Sequence, residues 1–232
     1  ETLPEKSAIH INDTHPALAI PELMRILLDE CGFTWESAEE LCLRLFSYTN
    51  HTVLPEALEC WDVPMFSALL PRIFTIIKEL DRREREYLSR RGFSSDEIER
   101  MAIISGNRIH MANLCVYCCH SINGVSEHHV RVMETSVFST LYKAFPERFC
   151  GITNGIAARR WLCCANPELT AFIKKYAVPD FEHDYKKMSM LKKHTDDYSA
   201  LSELSSVKRL RKEIFAAQNF DVCGKPLDPS SI

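Results

Sequence analysis

Apolar and polar positions alternate in several short stretches of the chain, and longer stretches with helical spacing separate them. Residues 7–11 carry apolar side chains at Ala8, Ile9 and Ile11 and predict a short buried strand. Residues 46–52 predict a second strand and residues 149–153 a third. Strands that alternate with helices indicate an α/β protein with an open sheet, in which ligands bind at the carboxyl ends of the strands.

The helical spacing also predicts where the helices begin and end. Pro21 lies in the first turn of one helix, which Gly32 ends. A single helix is predicted over residues 111–132, because Leu114, Cys118 and Ile122 follow each other at intervals of four. A capping box that begins at Thr34 predicts a helix over residues 34–43, and Ser94 predicts the start of another. Residues 65–91 predict a long helix that is broken at Pro71. The last predicted helices cover residues 167–176 and 186–220.

Composition places the chain among ordinary globular proteins, with 46% hydrophobic and 26% charged residues. The net charge of −4 argues against a nucleic-acid footprint and against an anionic membrane surface, and no apolar stretch reaches the ~20 residues of a membrane span. Ten irregularly spaced cysteines are expected to be reduced thiols of a cytoplasmic protein. The first residues are polar and include no initiator Met, so we expect a segment of a longer protein.

A dense polar cluster, Asn-Asp-Thr-His-Pro, follows the first predicted strand at residues 12–16. It combines an amide, a carboxylate, a hydroxyl and an imidazole, which suits sugar hydroxyls because each of them donates and accepts hydrogen bonds. The alternative is that Asp13 or Thr14 caps the next helix while His15 packs on Pro16.

The second cluster, residues 48–59, follows the second predicted strand in the same way. A helix opened by Pro55 would place Glu56 and Glu59 on one face. Paired carboxylates are typical of glycoside hydrolysis, but the helix dipole alone also favours acids near a helix N-terminus.

Two further clusters leave their chemistry open. Asn154-Gly155 predicts a tight turn. The following Arg159, Arg160 and Trp161 could bind an anion, or the two arginines could be a surface pair beside a packed indole.

A Cys-rich segment, residues 115–120, has further histidines nearby, but the second Cys-x-x-Cys pair typical of structural zinc is missing. We therefore predict an amphipathic helix there and no metal site. Signatures of phosphate loops, dinucleotide sites and serine hydrolases are absent.

Taken together, these strings resemble the α-1,4-glucan phosphorylase family. The matching blocks, in the family's order and spacing, are residues 12–25, 48–61, 109–114, 120–125 and 153–161. The resemblance covers residues 6–228 and is weak after Phe172. Ala157-Ala158 stands where the family has Thr-Pro, and Cys118-Cys119 where it has Gly-Ser.

The resemblance implies an α/β fold of GT-B type, in which two Rossmann-like domains face a cleft. It also implies reversible phosphorolysis, in which a terminal α-1,4-linked glucose and phosphate give glucose 1-phosphate with retention. Residues 1–154 would be the C-terminal part of the N-terminal glucan-binding domain. Residues 155–232 would be the incomplete start of the C-terminal cofactor-binding domain, and the chain an internal fragment.

The resemblance also assigns site residues. His51 would hydrogen-bond the primary hydroxyl of the reacting glucose, and Asn154 and the backbone near Val125 would contact the same sugar. Asp13 and His15 would line the pocket beside it. Trp161 would lie near the cofactor. Four further residues would support the sugar contacts without touching the sugar, namely Asn12, Glu56, Glu59 and Asn123.

The family that the chain resembles uses pyridoxal phosphate as its cofactor, which acts as an acid/base partner of the substrate phosphate. Its catalytic lysine is expected to be absent from this chain, so the chain alone is expected to be inactive. Expected partners are an α-1,4-glucan (glycogen, starch or maltodextrin) and inorganic phosphate, with no nucleic acid and no membrane, in a cytoplasmic homodimer. The alternative is a non-catalytic glucan-binding or regulatory relative.

Overall fold

The computed structural model describes residues 2–219, 224–225 and 227–231. It divides the chain into two compact units, Glu1–Asn154 and Gly155–Ile232. No helix in the described part of the chain is long and apolar enough to cross a bilayer.

Strands and helices are interspersed along the chain. The strands are β1 (Ile9–Asn12), β2 (Phe46–Asn50), β3 (Cys60–Asp62), β4 (Ile104–Ser105), β5 (Arg108–His110), β6 (Ser121–Gly124) and β7 (Phe149–Gly151). The helices of the first unit are α1 (Leu3–Lys6), α2 (Ala19–Arg25), α3 (Trp35–Leu45), α4 (Val63–Leu69), α5 (Pro71–Arg90), α6 (Ser95–Met101), α7 (Met111–Cys118), α8 (Glu127–Val132) and α9 (Ser139–Ala144). The second unit contains α10 (Pro167–Tyr176) and α11 (Tyr198–Gln218).

A four-stranded parallel sheet with the order β1-β2-β6-β7 forms the centre of the first unit. Side chains alternate between its two faces, as the period of two requires. One face packs into the core and carries Ile11, Phe46, Tyr48 and Ile122, which are fully buried. The opposite face carries polar side chains: His10, Asn12, Ser47, Thr49, Ser121 and Asn123. The α/β class with a parallel sheet, expected from the sequence, is confirmed.

The ends of several helices have the local chemistry that the sequence predicts. Thr34 accepts a hydrogen bond from the backbone N–H of Ser37 and starts α3. Ser94 and Glu97 form a reciprocal capping box at the start of α6. The long helical pattern breaks before Pro71 as predicted, because α4 ends at Leu69 and α5 begins at Pro71.

The prediction of one helix over residues 111–132 is wrong. Helix α7 ends at Cys118, and β6 and α8 occupy the rest of the segment. Strand β6 lies between β2 and β7 in the sheet, and this pairing outweighs the helical spacing of Ile122. Gly124 lets α8 pack tightly, because a Cβ at this position would lie 2.6 Å from Val130 Cγ2.

Two further predictions need correction. Glu56 and Glu59 do not share a helical face, because the segment after β2 forms only a short 3₁₀ turn, Pro55–Ala57. The helix predicted over residues 186–220 is divided into a 3₁₀ segment, Tyr185–His194, and α11. Phe220, its predicted last residue, lies outside the described residues.

The second unit has a small core of its own. Phe172, Ile173 and Phe181 are buried there, and partly buried side chains from α10 and α11 pack around them. Asn166 caps α10 by accepting a hydrogen bond from the Leu169 N–H, and Asp197 caps α11 in the same way from Ala200.

Candidate functional site at the carboxyl ends of the parallel strands

The carboxyl ends of the parallel strands meet at one edge of the sheet. Asn12 pairs in register with Thr49, and Thr49 with Asn123. Gly124 pairs with Gly151, so the chain leaves all four strands at the same level. The polar clusters that the sequence places after separate strands are brought to this edge, where parallel sheets bind ligands.

A cavity of about 610 Å³ opens along the polar face of the sheet and reaches this edge. Its volume lies in the range of small-molecule sites. Of the predicted sugar contacts and their supports, the cavity is lined by His51, Asn154, Val125, Asn12 and Asn123. The structure therefore brings residues from the ends of β1, β2, β6 and β7 into one hollow.

His51 is held at the edge of the sheet by Asn12. Its Nε2–H donates to Asn12 Oδ1 at 2.7 Å. In the neutral ring this leaves Nδ1 as an acceptor that has no protein partner among the described residues. A hydroxyl group of a ligand can donate to this nitrogen.

A second chain of hydrogen bonds crosses the floor of the cavity. The Asn123 amide donates to Thr49 Oγ1 at 3.1 Å, and Asn123 Oδ1 accepts from the Ile152 N–H at 2.9 Å. Thr49 Oγ1 also lies 2.5 Å from His10 Nε2, and the other ring nitrogen of His10 lies 2.9 Å from Ser47 Oγ. These bonds fix the orientation of the Asn123 amide and connect it to the segment that carries Asn154.

A third set of bonds fixes the backbone on either side of His51. The Tyr48 hydroxyl donates to Asn50 Oδ1 at 3.1 Å, and the Asn50 amide donates to the Thr52 carbonyl at 2.6 Å. Tyr48 and Asn50 are fully buried. Burial raises the pKa of Tyr48 well above its usual value, so the hydroxyl keeps its proton and remains a donor.

Asp13, His15 and Glu59 form a separate polar cluster and do not line the cavity. Glu59 accepts from Thr14 Oγ1 at 2.6 Å and from Trp61 Nε1 at 3.0 Å, and lies 3.8 Å from His15 Nδ1. Asp13 has a left-handed backbone, with φ of 59°, and its carboxylate accepts from the Thr14 N–H at 2.7 Å. This cluster fixes the turn that follows Asn12.

The remaining predicted residues are not among those that line the cavity. Glu56 is exposed in the 3₁₀ turn after β2. Trp161 belongs to the second unit, where it is 71% exposed on a π-helical segment, Arg159–Cys164.

Several residues of the cavity were not assigned to a site from the sequence. His10, Ser47, Thr49, His120 and Ser121 all line it. The signal that could have found most of them is the alternation of polar residues along β1, β2 and β6, which places every second side chain on the same face.

A second cavity, of about 210 Å³, has a different character. It lies among α2, α3, α5 and α7, and its walls include Met24, Cys42 and Phe145. Burial raises the pKa of Cys42 to about 12, so its thiol stays protonated. The Tyr117 hydroxyl at its wall already donates to Glu39 at 2.8 Å. Most side chains that line this cavity are apolar, whereas most of those that line the cavity at the strand ends are polar.

Thiols and histidines do not form a metal centre in the described part of the chain. No group of three or more His, Cys, Asp or Glu side chains is placed to hold an ion among those residues. The nine cysteines described there are free thiols, and burial raises the pKa of Cys115 and Cys118 well above the usual value. The cavity at the strand ends offers hydroxyl, amide and imidazole groups that can form hydrogen bonds with a polyhydroxy ligand.

Fold and site together define an α/β protein with a polar small-molecule pocket at the carboxyl ends of a parallel sheet. A family model for carbohydrate phosphorylases matches residues 1–232. The chain belongs to the carbohydrate phosphorylase family.

Individual relatives agree with this assignment. The α-glucan phosphorylase H isozyme of Triticum aestivum is 40% identical over 99% of this chain and 28% of its own length. The glycogen phosphorylase of Haemophilus influenzae is 41% identical over 100% of this chain and 29% of its own length. The brain form of glycogen phosphorylase of Rattus norvegicus is 42% identical, with shares of 94% and 26%. The chain thus spans less than a third of the length of these relatives.

Proposed function

We propose that this chain supplies the glucose-binding wall of an α-1,4-glucan phosphorylase. The whole enzyme would transfer the terminal α-1,4-linked glucose of a glucan to phosphate and give glucose 1-phosphate with retention. The observation that carries the proposal is the single cavity lined by His51, Val125 and Asn154, which come from the ends of three different strands. Membership of the carbohydrate phosphorylase family supports it.

The proposed role of these residues is to bind and orient the sugar. His51 would accept from the primary hydroxyl of the glucose through Nδ1, while Asn12 holds the ring by its Nε2–H. Asn154 would add an amide that both donates and accepts. A rigid hold on the ring favours the oxocarbenium-like transition state, because preorganised groups need no rearrangement during the reaction.

We propose that the two units belong to the two domains of a GT-B arrangement. Residues 1–154 would form part of the glucan-binding domain, and residues 155–232 the start of the cofactor-binding domain. The division of the chain between Asn154 and Gly155 supports this proposal. The parallel sheet with its polar strand ends supports a Rossmann-like first domain.

We propose that the described residues do not form a complete pyridoxal phosphate site of their own. In the second unit, Lys174, Lys175 and Lys187 are paired with Glu182, Glu203 and Asp180 on the surface. Trp161 is largely exposed there. We therefore propose that the cofactor lysine lies in a part of the enzyme outside this chain, and that Trp161 would contribute one contact to the complete cofactor site.

The proposed partners are an α-1,4-glucan and inorganic phosphate, in a cytoplasmic homodimer of the full-length enzyme. The hydroxyl, amide and imidazole groups that line the cavity suit the hydroxyl groups of a sugar. They offer no cluster of cations for a nucleic acid or a membrane surface.

The proposal is tested with the full-length protein and with the 232-residue chain. We expect the full-length protein to release glucose 1-phosphate from maltoheptaose when phosphate is present, and the 232-residue chain to release none. In amide NMR spectra of the chain, maltoheptaose should shift the signals of Asn12, His51 and Asn154. Cellohexaose, which has β-1,4 bonds, is the matched control and should leave them in place.

The outcomes separate the candidate functions. Binding of maltoheptaose without release of glucose 1-phosphate by the full-length protein would identify a non-catalytic glucan-binding relative. Equal shifts with maltoheptaose and cellohexaose, or none with either, would remove this cavity from the proposal.

A further inference from the structure

The cavity has a buried histidine behind its wall that neither the family motifs nor the proposed sugar contacts include. His129 lies in α8, and only 6% of its surface is exposed. Its Nδ1 accepts a hydrogen bond from the Val125 N–H at 3.1 Å, and its Nε2 lies 3.3 Å from the Thr52 carbonyl oxygen. Because Nδ1 accepts and a carbonyl can only accept, the ring must carry its proton on Nε2.

The two bonds of His129 join two different walls of the cavity. Val125 follows β6, and Thr52 follows β2 directly after His51. The Thr52 carbonyl also accepts from the Asn50 amide at 2.6 Å. The backbone directly after His51 is therefore held at the Thr52 carbonyl by two donors, the buried Asn50 amide and the His129 ring.

Helix α8 presents His129 from a rigid position. Ser126 caps the helix by accepting from the backbone N–H of His129 at 3.0 Å. The helix packs so closely on the sheet that a Cβ at Gly124 or Gly151 would contact Val130 or Glu127 within 3.1 Å. The imidazole therefore holds the two loops at fixed positions relative to the sheet.

We infer that His129 is a positioning residue of the active site, which clamps the loop carrying His51 to the loop carrying Val125. It acts through these residues and does not touch the sugar. The inference rests on the proposed function, because it assigns His129 a part in holding the same glucose. Without the clamp, His51 loses its fixed distance to the reacting sugar, and a misplacement of about 1 Å can cost about a hundredfold in rate.

Three substitutions in the full-length enzyme test the clamp. His129→Phe removes both hydrogen bonds and keeps a planar ring. His129→Asn keeps an acceptor near the position of Nδ1, and His129→Gln keeps a donor near that of Nε2. His128→Asn is the matched control, because His128 is the exposed neighbour in the same helix.

We expect kcat/KM for maltoheptaose phosphorolysis to fall by about tenfold to a hundredfold in His129→Phe, with most of the loss in kcat. His129→Asn and His129→Gln should each regain part of the loss, and His128→Asn should match the wild type. Rates are expressed per folded molecule, so a loss of stability alone does not change them.

Each result has one meaning. If the wild type releases glucose 1-phosphate and His129→Phe has an unchanged kcat/KM per folded molecule, the clamp is wrong while the proposed function stands. Equal losses in all three variants, without partial rescue by Asn or Gln, also contradict the clamp. A wild-type enzyme without activity contradicts the proposed function, and the inference that rests on it.

Discussion

The imidazole of His51 and the amide oxygen of Asn12 lie 2.7 Å apart, although 39 positions separate them in the sequence. The bond connects the carboxyl ends of β1 and β2 and determines which ring nitrogen of His51 can accept from a ligand. Asn12 thereby contributes to the chemistry of the cavity without needing to contact a sugar.

We predict that His51→Ala lowers kcat/KM of the full-length enzyme by a factor equivalent to about 1–3 kcal/mol of activation free energy, because the proposed polar contact to the reacting sugar is lost. Asn12→Ala should lower it by a smaller amount, since His51 remains present but is free to rotate. The double variant should be no worse than His51→Ala alone, because Asn12 acts through His51. Steady-state rates of glucose 1-phosphate release measure all three, and additive losses would show that the two residues act independently.

The fully buried Glu84 in α5 makes the stability of the chain depend on pH. Neither of its carboxyl oxygens has a hydrogen-bond partner in the described part of the chain, and burial raises its pKa well above the usual value. The folded protein therefore keeps a proton that the unfolded chain releases above pH of about 4.3. The free energy of unfolding should fall as the pH rises from there towards the raised pKa.

Two substitutions of Glu84 check this dependence by urea denaturation. Glu84→Gln should remove this fall between pH 5 and pH 7, while the exposed Glu40→Gln should keep it. Glu84→Met, which removes the unpaired polar group, should raise the free energy of unfolding at pH 7 by about 1–3 kcal/mol. A wild-type stability that rises over the same interval, together with a Gln variant of identical slope, would show that Glu84 does not titrate in this way.

The capping box of α6 should contribute to the free energy of unfolding by about the amount typical of helix N-caps. Ser94 Oγ accepts from the Glu97 N–H at 3.3 Å, and the Glu97 carboxylate accepts from the Ser94 N–H at 3.1 Å. Ser94→Ala should lower the free energy of unfolding by about 1 kcal/mol. Ser89→Ala, an exposed position inside α5, is the control and should have little effect. Equal effects of the two substitutions would contradict a capping contribution.

Gly124 should tolerate no side chain without a shift of α8. A Cβ there would lie 2.6 Å from Val130 Cγ2 and 2.9 Å from Met133 Sδ. Gly124→Ala is expected to lower the free energy of unfolding by about 1–3 kcal/mol through overpacking. Gly155→Ala is the matched control, since nothing lies within 4 Å of the point that its new Cβ would occupy. Thermal unfolding of both variants measures the difference, and similar midpoints would refute the close contact.

Much of the fold could be predicted from local patterns in the sequence. Alternation predicts β1 and β2, and the capping residues Thr34 and Ser94 predict the starts of two helices. Strand β6 was missed because its four residues carry a single large apolar side chain, Ile122, at a spacing that also continued a helix. Only its neighbours β2 and β7, which are distant in sequence, make this segment a strand.

The candidate site was predicted as a set of loops after strands, and the structure brings five of the named residues to one cavity. Their register could not be predicted, because it depends on pairing between strands. His129 was missed for a related reason. Its two partners, the Val125 N–H and the Thr52 carbonyl, are backbone groups, and a backbone group leaves no mark in the amino-acid sequence.

Residues 152–157 are exposed and have no regular secondary structure, and the boundary between the two units falls within them. The first three of these residues also line the cavity at the strand ends. A protease that cleaves this connection would cut the chain between the units, and a bound oligosaccharide would shield half of the cleavage segment. The rate of limited digestion should therefore report occupancy of the cavity directly, with no label and no enzymatic turnover.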